Sequence, residues 1–143
     1  MDERLVGSWR LLSLRMEDKG TGEFSEPWGD NPQGRLVFTP DGRLITVATS
    51  GSRVPPTSDA EAAALLGNMV CYSGQTRMDG NSRFVTEVDV AWHPSWLGTQ
   101  QGRNFTLEGE LLSVHTDVIA YPAYTGRSVS ITLRWQREAQ VAL

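Results

Sequence analysis

Apolar and polar residues alternate with a period of two along most of the chain, which is typical of β-strands with one buried face. Turn signals such as TPDG, MDGN and EGE separate the alternating segments. The pattern predicts eight strands over Leu5–Met16, Arg35–Thr39, Arg43–Thr49, Asn68–Met78, Ser82–Trp92, Gly98–Leu107, Leu111–Val118 and Arg127–Arg137. One helix is predicted over Ser58–Leu66, with Ser58 or Asp59 as its N-cap.

Eight strands joined mostly by short turns predict an all-β fold, an eight-stranded antiparallel up-and-down barrel with one short helix. Closure into a barrel removes the exposed strand edges that an open sheet would carry. A barrel of this size is just wide enough to be filled by side chains or to hold one small ligand. The alternative is a sandwich of two sheets. The 143 residues predict a single domain over residues 1–143.

The alternation also assigns each strand residue to a face. Glu87 and Asp89 fall on the outward face, where we expect ion pairs with Arg77 or Arg103 across the strands. A bulge or a one-residue slip would invert the assignment of a whole strand. The positions predicted to point inward are Leu5, Trp9, Leu11, Val70, Tyr72, Gly74, Thr76, Phe84, Thr86, Val88, Val90, Trp92, Gln101, Arg103, Phe105, Leu107, Leu112, Val114, Val129, Ile131, Leu133 and Trp135.

Charge and composition narrow the possible partners. The chain has 13 basic and 17 acidic residues, a net charge of -4 and no basic run, so we expect neither nucleic acid nor a membrane as a partner. The opening MDERLVGSW lacks the pattern of a signal peptide, and no stretch approaches the roughly 20 apolar residues of a membrane span. Cys71 is the only cysteine. These features predict a cytoplasmic protein that is a monomer or homodimer.

Few residues indicate acid–base or metal chemistry. The two histidines, His93 and His115, and the single cysteine offer no metal-ligand spacing, and no dinucleotide or phosphate motif occurs, so we expect no metal and no cofactor. His93 precedes Pro94 and is restrained to extended geometry; it is either an acid or base over the barrel mouth or a surface histidine. Glu87 and Asp89 would do acid–base work only if they pointed inward.

Aromatic residues are the strongest chemical signal, with five tryptophans and three tyrosines. Rings gathered at one opening of the barrel would build an apolar cavity with a few polar tips; the alternative is that the rings fill the lumen. The predicted ligand-binding residues are Trp28, Phe38, Val88, Trp92, His93, Trp96, Arg103, Phe105 and Tyr121. The predicted hydrogen-bond donors to a substrate, and hence the candidate catalytic residues, are Tyr72, Gln101 and Tyr124.

Four motifs resemble the small bacterial lipocalin-like domain family: GSW at Gly7–Trp9, PWG at Pro27–Gly29, TPDG at Thr39–Gly42 and PSWLGT at Pro94–Thr99. The resemblance runs over nearly the whole chain and implies a calycin-type β-barrel. It also implies that an arginine near the end of the barrel, here Arg134 or Arg137, packs over Trp9. Members often have histidines in the fifth strand where this chain has Thr86 and Glu87, so the resemblance implies no acid–base role.

Three functions are consistent with these features. The first is binding of a hydrophobic small molecule in the lumen, with cofactor-free cyclisation or isomerisation in polyketide-type natural-product biosynthesis, including a pericyclic cycloaddition. Such a reaction needs a shaped apolar cavity and one or two donors rather than acid–base machinery. The second is a non-catalytic intracellular carrier of a lipophilic ligand. The third is a structural or interaction domain with a filled barrel.

Replacement of single tryptophans separates a rim residue from a core residue. We expect Trp96→Ala to impair ligand binding with little change in the free energy of unfolding, because Trp96 is predicted at the rim. Trp9→Ala should instead unfold the barrel, since truncating a core tryptophan costs about 3–5 kcal/mol. Chemical denaturation measures both effects. A loss of several kcal/mol in Trp96→Ala would identify that residue as core.

Overall fold

The computed structural model describes residues 1–117 and 127–139. Most of these residues lie in strands, as the alternation predicts. The strands are β1 (Gly7–Asp18), β2 (Phe24–Ser25), β3 (Gln33–Phe38), β4 (Arg43–Thr49), β5 (Met69–Met78), β6 (Arg83–Ala91), β7 (Gln100–Glu108), β8 (Leu111–Thr116) and β9 (Val129–Arg137). The helices are α1 (Asp59–Gly67) and a single 3-10 turn, η1 (Pro94–Trp96).

Eight of the nine strands form a closed antiparallel barrel. From β3 to β9 each strand pairs with the next along the chain, β1 pairs with β3, and β9 also pairs with β1, which closes the ring. The two-residue β2 pairs only with the end of β1 and lies outside the ring. The predicted eight-stranded barrel with one short helix is therefore confirmed for the described residues, and the sandwich alternative is wrong because the ring is closed.

The predicted limits of the elements are close to the observed ones. Leu5 lies in a turn before β1 rather than in the strand. The helix α1 begins after Ser58, which is its N-cap: the Ser58 hydroxyl oxygen accepts a hydrogen bond from the Glu61 N–H at 3.1 Å. The Glu61 carboxylate in turn accepts from the Thr57 N–H at 2.6 Å. Two backbone donors at the start of the helix are thus satisfied by side chains.

A β-bulge corrects one of the predicted faces. Ser73 pairs with Val90 and Gly74 pairs with Val88, so that Asp89 is an extra residue in β6. Val90 consequently points outward and is 63% exposed, although the alternation places it inside. A glycine is required at the bulge, because a Cβ at Gly74 would lie 2.1 Å from the carbonyl oxygen of Glu87. Before the bulge, the predicted inward positions of β6 are buried.

The outward face of β6 also differs from the prediction in its ion pairs. Glu87 and Asp89 are exposed, as the alternation predicts. Asp89 pairs with Arg43 of β4 at 2.9 Å, however, and not with Arg77 or Arg103. The hydrogen bonds from the Arg43 guanidinium lower the pKa of Asp89 below its ordinary value. The expected partners were wrong because the alternation gives a face and not a position along the barrel axis.

One end of the barrel, where β1 begins and β9 ends, is filled by side chains; we call it the plugged end. Trp9 is fully buried there, and its indole N–H donates to the carbonyl of Leu5 at 2.9 Å. The guanidinium carbon of Arg137 lies 4.1 Å from the centre of the Trp9 ring, and Arg137 Nη1 donates to the carbonyl of Val6 at 2.9 Å. Of the two arginines that the resemblance allows, Arg137 is the one that covers Trp9.

Removal of the Arg137 guanidinium should weaken the plugged end. We expect Arg137→Met to lower the free energy of unfolding by about 2–3 kcal/mol, because it removes two charge-assisted hydrogen bonds to backbone carbonyls, a part-exposed ion pair with Glu110 and one cation–π contact. Urea denaturation followed by tryptophan fluorescence measures the change. The matched control is Arg134→Met, which removes an exposed arginine three residues earlier in β9 and should change stability by less than about 0.5 kcal/mol. Equal losses in both variants would contradict the anchoring role of Arg137.

Candidate functional site

A cavity of about 70 Å³ lies inside the barrel toward the end opposite the plug, which we call the loop end. The loop end is where β1 finishes and β9 starts, and α1 and η1 lie there because they connect strands at this end. The wall of the cavity is largely apolar and contains Leu14, Met16, Pro27, Trp28, Leu36, Leu44, Ala48, Val70, Phe84, Trp96, Val114, Ile131, Leu133 and Trp135. Its remaining members are Thr46, Tyr72, Arg103 and Thr116.

Two tryptophans reach the cavity from loops rather than from strands. Trp28 comes from the long connection between β1 and β3, and its carbonyl accepts a hydrogen bond from the N–H of Gly51 at 3.1 Å. Trp96 comes from η1, which follows Pro94 in the connection between β6 and β7. Both are almost fully buried. The loop end of the cavity is therefore lined by the rings of two loop residues.

Trp96 is both a residue of the cavity wall and a residue of the core, which the sequence left as alternatives. It lines the cavity, yet it is only 6% exposed and belongs to the buried core. Its ring centre lies 5.2 Å from that of Tyr72 and 5.0 Å from that of Trp92. The expectation that Trp96→Ala leaves stability nearly unchanged assumed an exposed rim residue, and the burial of this ring makes a loss of several kcal/mol the expected result.

The turn before Trp96 is fixed by local hydrogen bonds. His93 is the N-cap of η1: its Nδ1 accepts from the N–H of Ser95 at 3.3 Å and lies 2.7 Å from the Ser95 hydroxyl oxygen. The predicted ligand-binding residue His93 is thus engaged in the turn and is not part of the cavity wall. Trp92 packs against the core and donates its indole N–H to the carbonyl of Leu66 at 3.1 Å, outside the wall.

Arg103 is the one charged residue in the described wall of the cavity. It is 5% exposed, its Nη1 donates to the carbonyl of Gly102 at 2.9 Å, and both terminal nitrogens lie 3.4 Å from Oε1 of Gln101. Its guanidinium carbon lies 5.9 Å from the centre of the Trp96 ring. Gln101 donates to the Thr99 hydroxyl at 2.8 Å, so it orients Arg103 from the margin of the wall rather than lining it.

The other polar tips in the wall are hydroxyl groups. Thr46 donates to the carbonyl of Arg35 at 3.2 Å, and the Thr116 oxygen accepts from the Ile131 N–H at 2.8 Å. The Tyr72 hydroxyl makes no hydrogen bond within the described chain. No fully enclosed side-chain nitrogen or oxygen of the described residues lacks a partner, so the Tyr72 hydroxyl remains accessible to water or a ligand.

The remaining predicted residues lie away from the cavity wall. Phe38, Val88 and Phe105 are buried in the core but are not in contact with the cavity. Phe38 and Phe105 each pack against Phe84, with ring centres 5.3 and 5.9 Å from its own. Of these three rings, only that of Phe84 lines the cavity. Tyr121 and Tyr124 lie outside the described residues.

Sequence reasoning missed most of the aliphatic wall and two of its hydroxyl groups, those of Thr46 and Thr116. Leu14 and Met16 were passed over because a bulge between Leu11 and Ser13 shifts the register of β1 against β9. Thr46 was missed because the alternation was not followed along β4, where it faces inward between the buried Leu44 and Ala48. Continued alternation along β4 and β8, with the β1 bulge allowed for, would have found these residues.

An aspartate close to Arg103 is already held in an ion pair with another arginine. Asp117 forms a bidentate ion pair with Arg83 at 3.0 and 2.9 Å. The Arg83 hydrogen bonds lower the pKa of Asp117, and the positive charge of Arg103 lowers it further. Asp117 is therefore a carboxylate near neutral pH, occupied by Arg83. Within residues 1–117 and 127–139, no three histidine, cysteine or acidic side chains are grouped as metal ligands, and no helix is long and apolar enough to cross a membrane.

The comparison with known protein families agrees with this architecture. Residues 6–138 match the model of the lipocalin-like domain. No curated protein matches the chain. A lipocalin-like barrel suggests binding of a hydrophobic ligand, and the wall of the cavity is largely apolar. Since the match spans nearly all of the 143 residues and the barrel is closed, the chain belongs to the lipocalin-like domain family.

Proposed function

We propose that the protein binds a hydrophobic small molecule in the cavity at the loop end. The observation that carries this proposal is the composition of the wall, in which apolar side chains surround four polar residues. Small-molecule sites usually combine an apolar lining with a few polar groups that orient the ligand. We further propose a single-domain cytoplasmic protein, monomeric or homodimeric, that acts on neither nucleic acid nor membranes.

The size of the cavity limits how a ligand enters. About 70 Å³ is well below the roughly 300 Å³ at which ordinary ligand sites begin. It is also below the ~150 Å³ of an engineered apolar cavity that holds benzene. A larger ligand must displace part of the wall, and Trp28 and Trp96 are the candidates because loops move more readily than paired strands. Ligand binding then includes rotation of one of these rings.

The catalytic form of the proposal is a cofactor-free cyclisation or isomerisation of a polyketide-type intermediate, including a pericyclic cycloaddition. Tyr72 and Arg103 are the donors in the described wall that are suited to polarise a substrate carbonyl. The described wall contains no carboxylate, imidazole or thiol, which favours a reaction that depends on shape and hydrogen-bond donors. Tyr124 remains a predicted donor, and Gln101 positions Arg103.

The alternative is a non-catalytic carrier of a lipophilic ligand. The same wall chemistry favours it, because none of the described lining groups is a general base of the usual kind. Turnover separates the two functions, whereas binding alone does not.

Filling the cavity should abolish ligand binding without loss of the fold. Ala48 lines the cavity, and Ala48→Leu adds three carbon atoms to that space. We expect N-phenyl-1-naphthylamine, a neutral probe that fluoresces in apolar surroundings, to bind the unchanged protein and to bind Ala48→Leu at least tenfold more weakly. The control is Val47→Leu, which alters the neighbouring outward residue of β4 and should leave probe affinity within twofold. Equal probe binding by all three proteins would place the ligand outside the cavity.

Removal of one hydroxyl tests the catalytic form. Tyr72→Phe retains the ring that packs on Trp96 and loses only the donor. With synthetic linear polyketides as substrates and protein at one hundredth of their concentration, we expect cyclic product above the spontaneous rate. Tyr72→Phe should lower kcat by roughly 100-fold, the usual effect of one lost donor. Probe affinity should stay within twofold. Probe binding without any turnover by the unchanged protein would reject catalysis and retain the carrier.

A further inference from the structure

Arg103 carries a positive charge into an otherwise apolar wall. An arginine side chain stays protonated in a protein, and burying a charge is unfavourable unless an opposite charge or several hydrogen bonds accompany it. The residue is 5% exposed. Its bonds within the described chain go only to neutral oxygens, one at 2.9 Å and two at the long distance of 3.4 Å.

No carboxylate of the described chain forms a direct ion pair with Arg103. The ion pairs of the described residues do not include Arg103. Asp117 is close enough for Arg103 to lower its pKa, but both of its carboxylate oxygens are bound by Arg83. The Nε–H of Arg103 has no acceptor in the described chain. The guanidinium therefore keeps donor capacity at the cavity, and no carboxylate is bound to it directly.

From this geometry we infer that the ligand of the cavity is an acid, whose carboxylate pairs with Arg103 while its apolar body lies among the aliphatic and aromatic side chains. The inference rests on the proposed ligand-binding function and names its substrate class. A guanidinium presents its donors as a fork that matches the two oxygens of a carboxylate. A singly charged carboxylate neutralises the single positive charge, whereas a phosphate monoester, with a charge of about -1.5 to -2, would leave buried negative charge.

Tyr72 brings a second donor to the wall of the same cavity. The Tyr72 ring centre lies 5.2 Å from that of Trp96, and the Arg103 guanidinium carbon lies 5.9 Å from the same ring. The Tyr72 ring and the Arg103 guanidinium thus both lie beside Trp96, and both residues line one cavity. Rotation of Trp96 on ligand entry would leave the acid group between a cation and a neutral donor.

Matched acids and esters test the inference on the unchanged protein. N-phenyl-1-naphthylamine is bound first, and octanoate, methyl octanoate and octyl phosphate are then added as competitors at pH 7. We expect octanoate to displace the probe at a concentration at least tenfold lower than methyl octanoate or octyl phosphate. The preference should persist in 0.5 M NaCl, because a buried pair is screened much less than a surface pair.

Two variants assign the preference to one residue. Arg103→Met should raise the octanoate concentration needed to displace the probe by about 10- to 100-fold, the usual effect of losing a charge-assisted hydrogen bond. The methyl octanoate concentration needed should stay within twofold. The control Arg77→Met removes an exposed arginine of β5 and should change neither competitor. Circular dichroism checks folding; should Arg103→Met not fold, the comparison of acid with ester on the unchanged protein still decides.

The outcomes distinguish a failure of the proposed ligand-binding function from a failure of the inference that the ligand is an acid. No binding of the neutral probe to the unchanged protein would overturn the proposed ligand-binding function. Probe binding with equal competition by octanoate and its methyl ester would retain that function and contradict the inference that the ligand is an acid. A preference for octyl phosphate would also overturn it, since the charge argument excludes a dianion. A preference for octanoate that is lost in salt or is unchanged in Arg103→Met would place the acid at a surface arginine instead.

Discussion

Closure of the barrel between β1 and β9 is the constraint on which the rest of the structure depends. The two strands pair from Trp9↔Arg137 to Asp18↔Val129, with one bulge between. Once the ring is closed with eight strands, the width of the interior is set, and only the size of the inward side chains decides how much space remains. At the plugged end, large side chains such as Trp9 fill that width. Toward the loop end, shorter side chains such as Thr46 and Ala48 leave a cavity.

The fold was predictable because its main determinant is local. Alternation between residues two apart needs no knowledge of the neighbouring strands, so eight strands and most inward positions follow from it. The prediction fails where pairing between strands overrides the local period. Val90 points outward because Asp89 is inserted at a bulge, and the close approach of Glu87 to Gly74 that defines the bulge is a property of two strands. The predicted ion-pair partners of Asp89 were wrong because alternation gives a face and not a position along the barrel axis.

The candidate site was less predictable, because alternation gives the face of a residue and not its depth. Phe38, Val88 and Phe105 point inward as predicted, yet they lie in the packed core beyond the cavity wall. Depth depends on strand tilt and stagger, which are properties of the whole ring. Trp28 and Trp96 lie in connections between strands, and both reach the cavity wall. Their burial was not predicted, because it follows from packing on partners distant in sequence, such as Tyr72.

The small cavity and the buried charge act on ligand affinity in opposite directions. Displacing a packed ring such as Trp96 consumes part of the binding free energy, so an apolar ligand alone is bound weakly. An acid recovers free energy at Arg103, because the charged hydrogen bonds it forms replace the long contacts to Gln101. The balance favours ligands that carry both an apolar body and an acid group over ligands with either one. A chain of hydrogen bonds runs from Arg103 through Gln101 and Thr99 to the carbonyl of Trp96. The residue that would bind the acid and the residue whose ring must move therefore belong to one hydrogen-bonded segment.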